Sequence, residues 1–132
     1  MRSPRDLPQP VLDFLGTFIR TVEDLALLVA IIDAPDRWWD ATSAANELGT
    51  GAHTARAVLE HLARHRLLDI RVTGDVRYQF RPLSSELQHA AFECAAAYRA
   101  NPMSVVRAVS DSKRRRIQDF ADAFKLRRNN DG

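Results

Sequence analysis

The sequence predicts a mainly α-helical fold carrying one small β-hairpin. Three observations carry that expectation. Apolar residues recur at helical spacing through most of the chain, the period switches to alternation after Leu67 and Leu68 and up to Pro82, and glycine or proline sits where several of the periodic segments end. At 132 residues, with 45% hydrophobic residues, the chain is long enough for one core with extensions rather than two independent cores.

Residues 1–10 contain three prolines, at Pro4, Pro8 and Pro10, and predict an extended arm. Val11, Leu12, Phe14, Leu15, Phe18 and Ile19 then follow helical spacing. They predict a short amphipathic helix with Pro10 in its first turn and Gly16 as a weak point. Thr21 and Asp24 have the spacing of a capping box ahead of the apolar run 25–32, so a buried helix is expected to close near Asp33, where Pro35 blocks continuation. Of the adjacent Trp38 and Trp39, one is expected in the core and the other partly exposed.

Asp40 or Thr42 caps a short helix through Ala44, Ala45 and Leu48, and Gly49 ends it, because glycine adopts the left-handed conformation without steric cost. Ala55, Val58, Leu59, Leu62 and Ala63 then define one face of a third helix closing near Arg66. Alternation follows. Ile70 and Val72 are expected inward and Arg71 and Thr73 outward, a turn falls at Thr73, Gly74 and Asp75, and Val76, Tyr78 and Phe80 alternate with Arg77, Gln79 and Arg81 up to Pro82.

Ser84 or Ser85 caps a long helix with Leu87, Ala91, Cys94 and Tyr98 in its stripe, ending at the break between Asn101 and Pro102. The helix is expected to resume with a kink through Val105, Val106 and Val109. A separate final helix then starts at Asp111 or Ser112, presents Ile117, Phe120, Ala121 and Phe124 on one face, and ends in a frayed polar tail over residues 129–132. The expected organisation is an N-terminal arm and short helix at 1–20, a central unit at 21–82 and a helical extension at 83–132.

Charge is unevenly placed. The net formal charge is only +2, yet residues 21–48 hold six acidic side chains against Arg37 alone. Residues 50–82 hold six arginines against Glu60, Asp69 and Asp75, and residues 101–132 hold eight basic side chains against four acidic ones. Such polarity presents a basic side to an anionic polymer while the whole stays near neutral.

Several chemistries lack their residues. His61 and His65 stand four apart, but Leu62 occupies the place of a zinc protease's glutamate and no third ligand is evident, so no metal site is expected. The run Gly49, Thr50, Gly51 lacks the lysine and hydroxyl residue of a phosphate loop and reads as a turn. Cys94, the single cysteine, cannot form an internal disulfide and is expected as a small apolar packing residue. No nucleophile and base pair, paired carboxylates or cofactor loop emerges, so the expectation is a non-catalytic protein without a cofactor. The absence of a leader-like segment or a long apolar run predicts a cytoplasmic protein with no membrane span.

The order short helix, turn, helix, hairpin over residues 38–81 resembles the helix-turn-helix and wing of winged helix-turn-helix transcriptional regulators, broadly the MarR-like and ArsR-like bacterial proteins. Residues 42–48 correspond to the second helix, 49–51 to the turn, 52–66 to the recognition helix, 67–70 to the entry into the first wing strand, and 73–75 to the wing tip. The resemblance implies a protein that binds double-stranded DNA, with the recognition helix in the major groove and nearby basic residues on phosphates. It points to Thr50, His53, Thr54 and Arg56 at the recognition-helix start and to Arg71 and Arg77 on the wing. Only one arginine stands at that helix start, and Asp75 occupies the wing tip, so modest affinity or a homodimer formed through terminal helices is expected. Arg114, Arg115, Arg116, Arg127 and Arg128 are candidate contacts to DNA or to a protein partner. The alternative function is an interaction module that recognises a transcription-machinery or signalling protein through the C-terminal helices.

Overall fold

The apolar run after Thr21 becomes the central helix of the molecule. In the computed structural model, which describes residues 7–130 and the side chains of residues 7–123, this helix (α2, Val22–Asp33) buries Leu25, Leu27, Leu28, Val29, Ile31 and Ile32. A helix apolar around most of its circumference must be covered on several sides. Here the cover comes from α3 (Ala41–Leu48), α4 (Ala52–Arg64) and α5 (Ser85–Ala100). α1 (Gln9–Phe18) packs against α5 and α6 (Pro102–Asn130), contributing Val11, Phe14 and Leu15. One hydrophobic core joins these residues with Ala91, Cys94 and Ala95 of α5 and Val105 and Val109 of α6.

Local chemistry sets the helix ends. Thr21 Oγ1 accepts the Asp24 N–H at 3.2 Å, but the Asp24 carboxylate reaches past Thr21 to the Arg20 N–H, so the capping box is only half realised. At α3 the reciprocal pattern is complete: Asp40 accepts the Ser43 N–H at 2.7 Å, and Ser43 Oγ accepts the Asp40 N–H at 3.0 Å. These bonds hold the Asp40 carboxyl below its ordinary pKa, the Ser43 backbone bond having the largest effect. Gly49 closes α3 at φ +66°, a conformation that a Cβ would strain.

α4 runs from Ala52 to Arg64, and His65 caps it. Arg66 then takes φ +67°, which turns the chain into the hairpin two residues before the strand begins. β1 (Leu68–Thr73) pairs antiparallel with β2 (Asp75–Phe80), in register from Leu68 with Phe80 to Thr73 with Asp75. On its other edge β2 holds Trp39, whose N–H and carbonyl exchange bonds with Tyr78 at 2.7 and 2.8 Å. Trp39 is buried and Trp38 half-buried, as expected of adjacent residues.

Two expectations fail. Ile70, Val72 and Val76 do not point into a core: they are 49, 71 and 44% exposed. They share a face with the buried Leu68, Tyr78 and Phe80, but only the base of the hairpin lies over the helices. Alternation therefore predicts the face correctly and the depth wrongly. The expected new helix at Asp111 or Ser112 does not occur either. α6 is a single helix from Pro102 to Asn130, so residues 129 and 130 belong to it, because no glycine or proline interrupts it after Pro102. Residues 1–6 of the expected arm and residues 131–132 of the expected tail lie outside the described residues.

Candidate nucleic-acid interface

The buried stripe of α4, Ala55, Val58, Leu59 and Leu62, fixes which residues turn outward. Those are His53, Arg56, Ala57, Glu60 and Arg64, all exposed and successive on one strip of the helix. Thr54 is also exposed but lies to the side of the strip, and Thr50 is half-buried, its N–H bonded to the Ala45 carbonyl at 3.1 Å. The structure thus brings His53 and Arg56 together on one surface and leaves Thr50 and Thr54 at its margin. Ala57, Glu60 and Arg64 complete the strip. Periodicity alone would have found them, by continuing the count from His53 and Arg56.

The rear of α4 is anchored by a buried polar cluster. The Asp24 carboxylate is inaccessible and accepts from the Arg20 N–H, Nε and Nη2 at 2.9, 3.0 and 3.2 Å. His61, 6% exposed, donates from Nε2 to the Phe18 carbonyl at 2.7 Å, and the same nitrogen stands 3.7 Å from Asp24. Burial pushes the His61 pKa below its ordinary value, partly opposed by the Phe18 carbonyl and Asp24. His61 and His65 lie with ring centroids 4.5 Å apart, but among the described residues no group of three metal-ligating side chains is assembled.

On the hairpin, Arg71 and Arg77 face each other across the strands, on the opposite side from the apolar row. Each is engaged. Arg77 Nε donates to Asp75 at 3.0 Å, and the Arg71 guanidinium stacks over Trp38 at 4.5 Å from the ring centroid. Stacking leaves a guanidinium's edge donors available, whereas a carboxylate neutralises part of the charge it holds. The half-buried Trp38 ring is therefore a support for Arg71, a role hidden in the sequence.

Between the hairpin and the two helices lies a cleft of about 380 Å³, lined by Asp40 and Thr42 of the α3 start, Arg56 and Glu60 of α4, and Asp75, Val76 and Tyr78 of the hairpin. Burial raises the Tyr78 phenol pKa, Glu60 adds to the rise and Arg56 opposes it, so the hydroxyl stays a neutral donor. The cleft mixes both signs of charge rather than forming an unbroken cationic wall.

The C-terminal arginines belong elsewhere. Arg116 donates to the Arg20 carbonyl at 3.3 Å, Arg115 lines a groove between α1 and α6, and Arg114 lies 4.0 Å from Asp111. Arg127 and Arg128 lie outside the residues whose side chains are described. Cys94 is buried, its thiol pKa pushed up to about 12 by burial, which suits packing and not reactivity. No described helix is long and apolar enough to cross a membrane. No protein-family model, curated protein or solved structure was found to match the chain.

Proposed function

We propose that this protein is a winged helix-turn-helix regulator that binds double-stranded DNA, with α4 in the major groove and the hairpin against the backbone. The observation that carries this reading is the outer strip of α4. It is held from behind by core and polar contacts and presents His53, Arg56, Ala57 and Arg64, while the hairpin carries the cross-strand pair Arg71 and Arg77 on the face away from its apolar row. A helix of this length fits the major groove, its N-terminal end favours an anion, and the small Ala57 lets the helix approach closely. Arg56 is suited to a guanine edge, and Arg71 and Arg77 to phosphates.

The test is a titration of labelled random-sequence 30-base-pair duplex with the full chain at several salt concentrations. The double variant Arg56→Ala, Arg77→Ala should bind about tenfold more weakly and lower the salt slope by about 1 to 2. Unchanged affinity and slope would overturn the reading. A second reading, contact with another protein, is supported by Ile117 and Phe120 of α6, 61 and 74% exposed. A second copy or a transcription-machinery component fits such a face. It is favoured if the wild-type chain retains no duplex at all.

A further inference from the structure

We infer that Glu60 determines sequence specificity by accepting a hydrogen bond from the exocyclic amino group of cytosine in the major groove, within two base pairs of the base read by Arg56. This deepens the DNA-binding reading and rests on it.

The placement comes first. Glu60 stands one turn beyond Arg56 on the outer strip of α4, and both line the cleft above Tyr78. Four residues advance a helix by about 6 Å, less than two base-pair steps of about 3.4 Å. Two side chains on such a strip therefore meet neighbouring base pairs.

Elimination comes second. Three carboxylates line the cleft, and two have work inside the protein: Asp40 caps α3 through Ser43, and Asp75 holds Arg77 at 3.0 Å. The Glu60 side chain makes no hydrogen bond or ion pair among the described residues, and Arg56, four residues earlier, does not pair with it. The order explains this, because an acidic residue C-terminal to its basic neighbour is the weaker arrangement on a helix. Apart from its charge beside Tyr78, the Glu60 side chain thus holds no described partner, at an exposed position beside the basic residues.

Chemistry then selects the partner. A carboxylate on a surface that meets DNA is repelled by phosphates of every sequence, and only a donor on a base edge offsets that repulsion. The major groove offers amino donors on cytosine and adenine. Adenine places the N7 acceptor beside its amino group, where it repels the second carboxylate oxygen, while cytosine has no such neighbour. Glu60 therefore prefers cytosine and penalises other bases.

The experiment selects bound duplexes from a randomised pool with the full-length wild type, Glu60→Ala, Glu60→Gln and Arg56→Ala. Glu60 is exposed, so all four chains should fold, which circular dichroism checks. Wild type should enrich cytosine at one position within two base pairs of a guanine whose enrichment disappears in Arg56→Ala. Glu60→Ala should lose the cytosine preference, about tenfold, while binding non-specific duplex several-fold more tightly. Glu60→Gln should move the preference toward adenine, since an amide pairs with its N6 and N7. Identical enriched sequences from wild type and Glu60→Ala would overturn the role of Glu60 and leave DNA binding intact. Retention of no duplex by the wild type would overturn the DNA reading, and this inference with it.

Discussion

α4 and α6 are both amphipathic helices carrying arginines, yet they are held very differently. α4 is short, and its apolar stripe is wholly consumed by α2, α3 and β1: Ala55, Leu59 and Leu62 are inaccessible and Val58 nearly so. α6 is more than twice as long; among the described residues it buries large side chains only in its first turns, through Val105 and Val109, with Arg116 reaching the Arg20 carbonyl further along, whereas Ile117 and Phe120 remain largely exposed. In the first helix the core decides which side chains face outward, so the outer strip is fixed to the precision of core packing. In the second, the far end takes its position from the helix itself. The proposed reading face would have to meet base edges, and the first kind of support suits that task.

The largest effect that tests this contrast is thermodynamic. Leu59→Ala should lower unfolding free energy by about 3 kcal/mol, the transfer loss plus an unfilled cavity. Ile117→Ser should change it by less than about 0.5 kcal/mol, as exposed positions do. Urea denaturation by circular dichroism measures both. A loss above about 1 kcal/mol for Ile117→Ser would mean that the α6 face is covered in solution, and the contrast would collapse.

The next effect concerns the polar anchor behind α4. Removing the inaccessible Asp24 carboxylate in Asp24→Ala strands the Arg20 donors and takes away the charge nearest His61. The expected cost is about 2 kcal/mol, reduced from the fully buried case because Arg20 is partly exposed to solvent. Thermal unfolding should show a drop of several degrees. A melting temperature within one degree of wild type would show that this cluster does not hold α4 to the α1–α2 junction.

Much of this architecture is legible in the sequence because it is written in local chemistry. Gly49, Asp40, Ser84 and the Asn101 to Pro102 break each act through backbone geometry or a neighbouring N–H, and each falls where expected. What escapes is whatever depends on distant segments. Period-two alternation gives the face of Ile70, Val72 and Val76 but not how far the hairpin overhangs the helices. His61 reads as one of two histidines on a helix, and only folding brings the Phe18 carbonyl, 43 residues away, to its ring. The stacking of Arg71 on Trp38 is hidden for the same reason. Within the proposed interface, His53 and Arg56 are legible in the sequence, whereas Glu60, one turn beyond Arg56, is passed over by a search for basic residues.

The smallest effect is a pH dependence carried by His61, and its sign follows from the packing. The folded state resists protonation of His61, burial being the main cause, so the folded pKa lies below the ordinary 6.5 while the unfolded chain titrates near that value. Well above pH 6.5 both states are neutral at this residue, and its contribution to stability is fully present. As pH falls below 6.5 the unfolded state takes up the proton first, so stability declines until the folded pKa is reached. Glutamine at this position can still donate to the Phe18 carbonyl but does not titrate. His61→Gln should therefore flatten the fall in unfolding free energy between pH 7.5 and 5.5, measured by urea titration at each pH, while leaving the value at pH 7.5 within about 1 kcal/mol of wild type. An equal slope in both proteins would move the proton uptake to another histidine and loosen the link between α4 and α1.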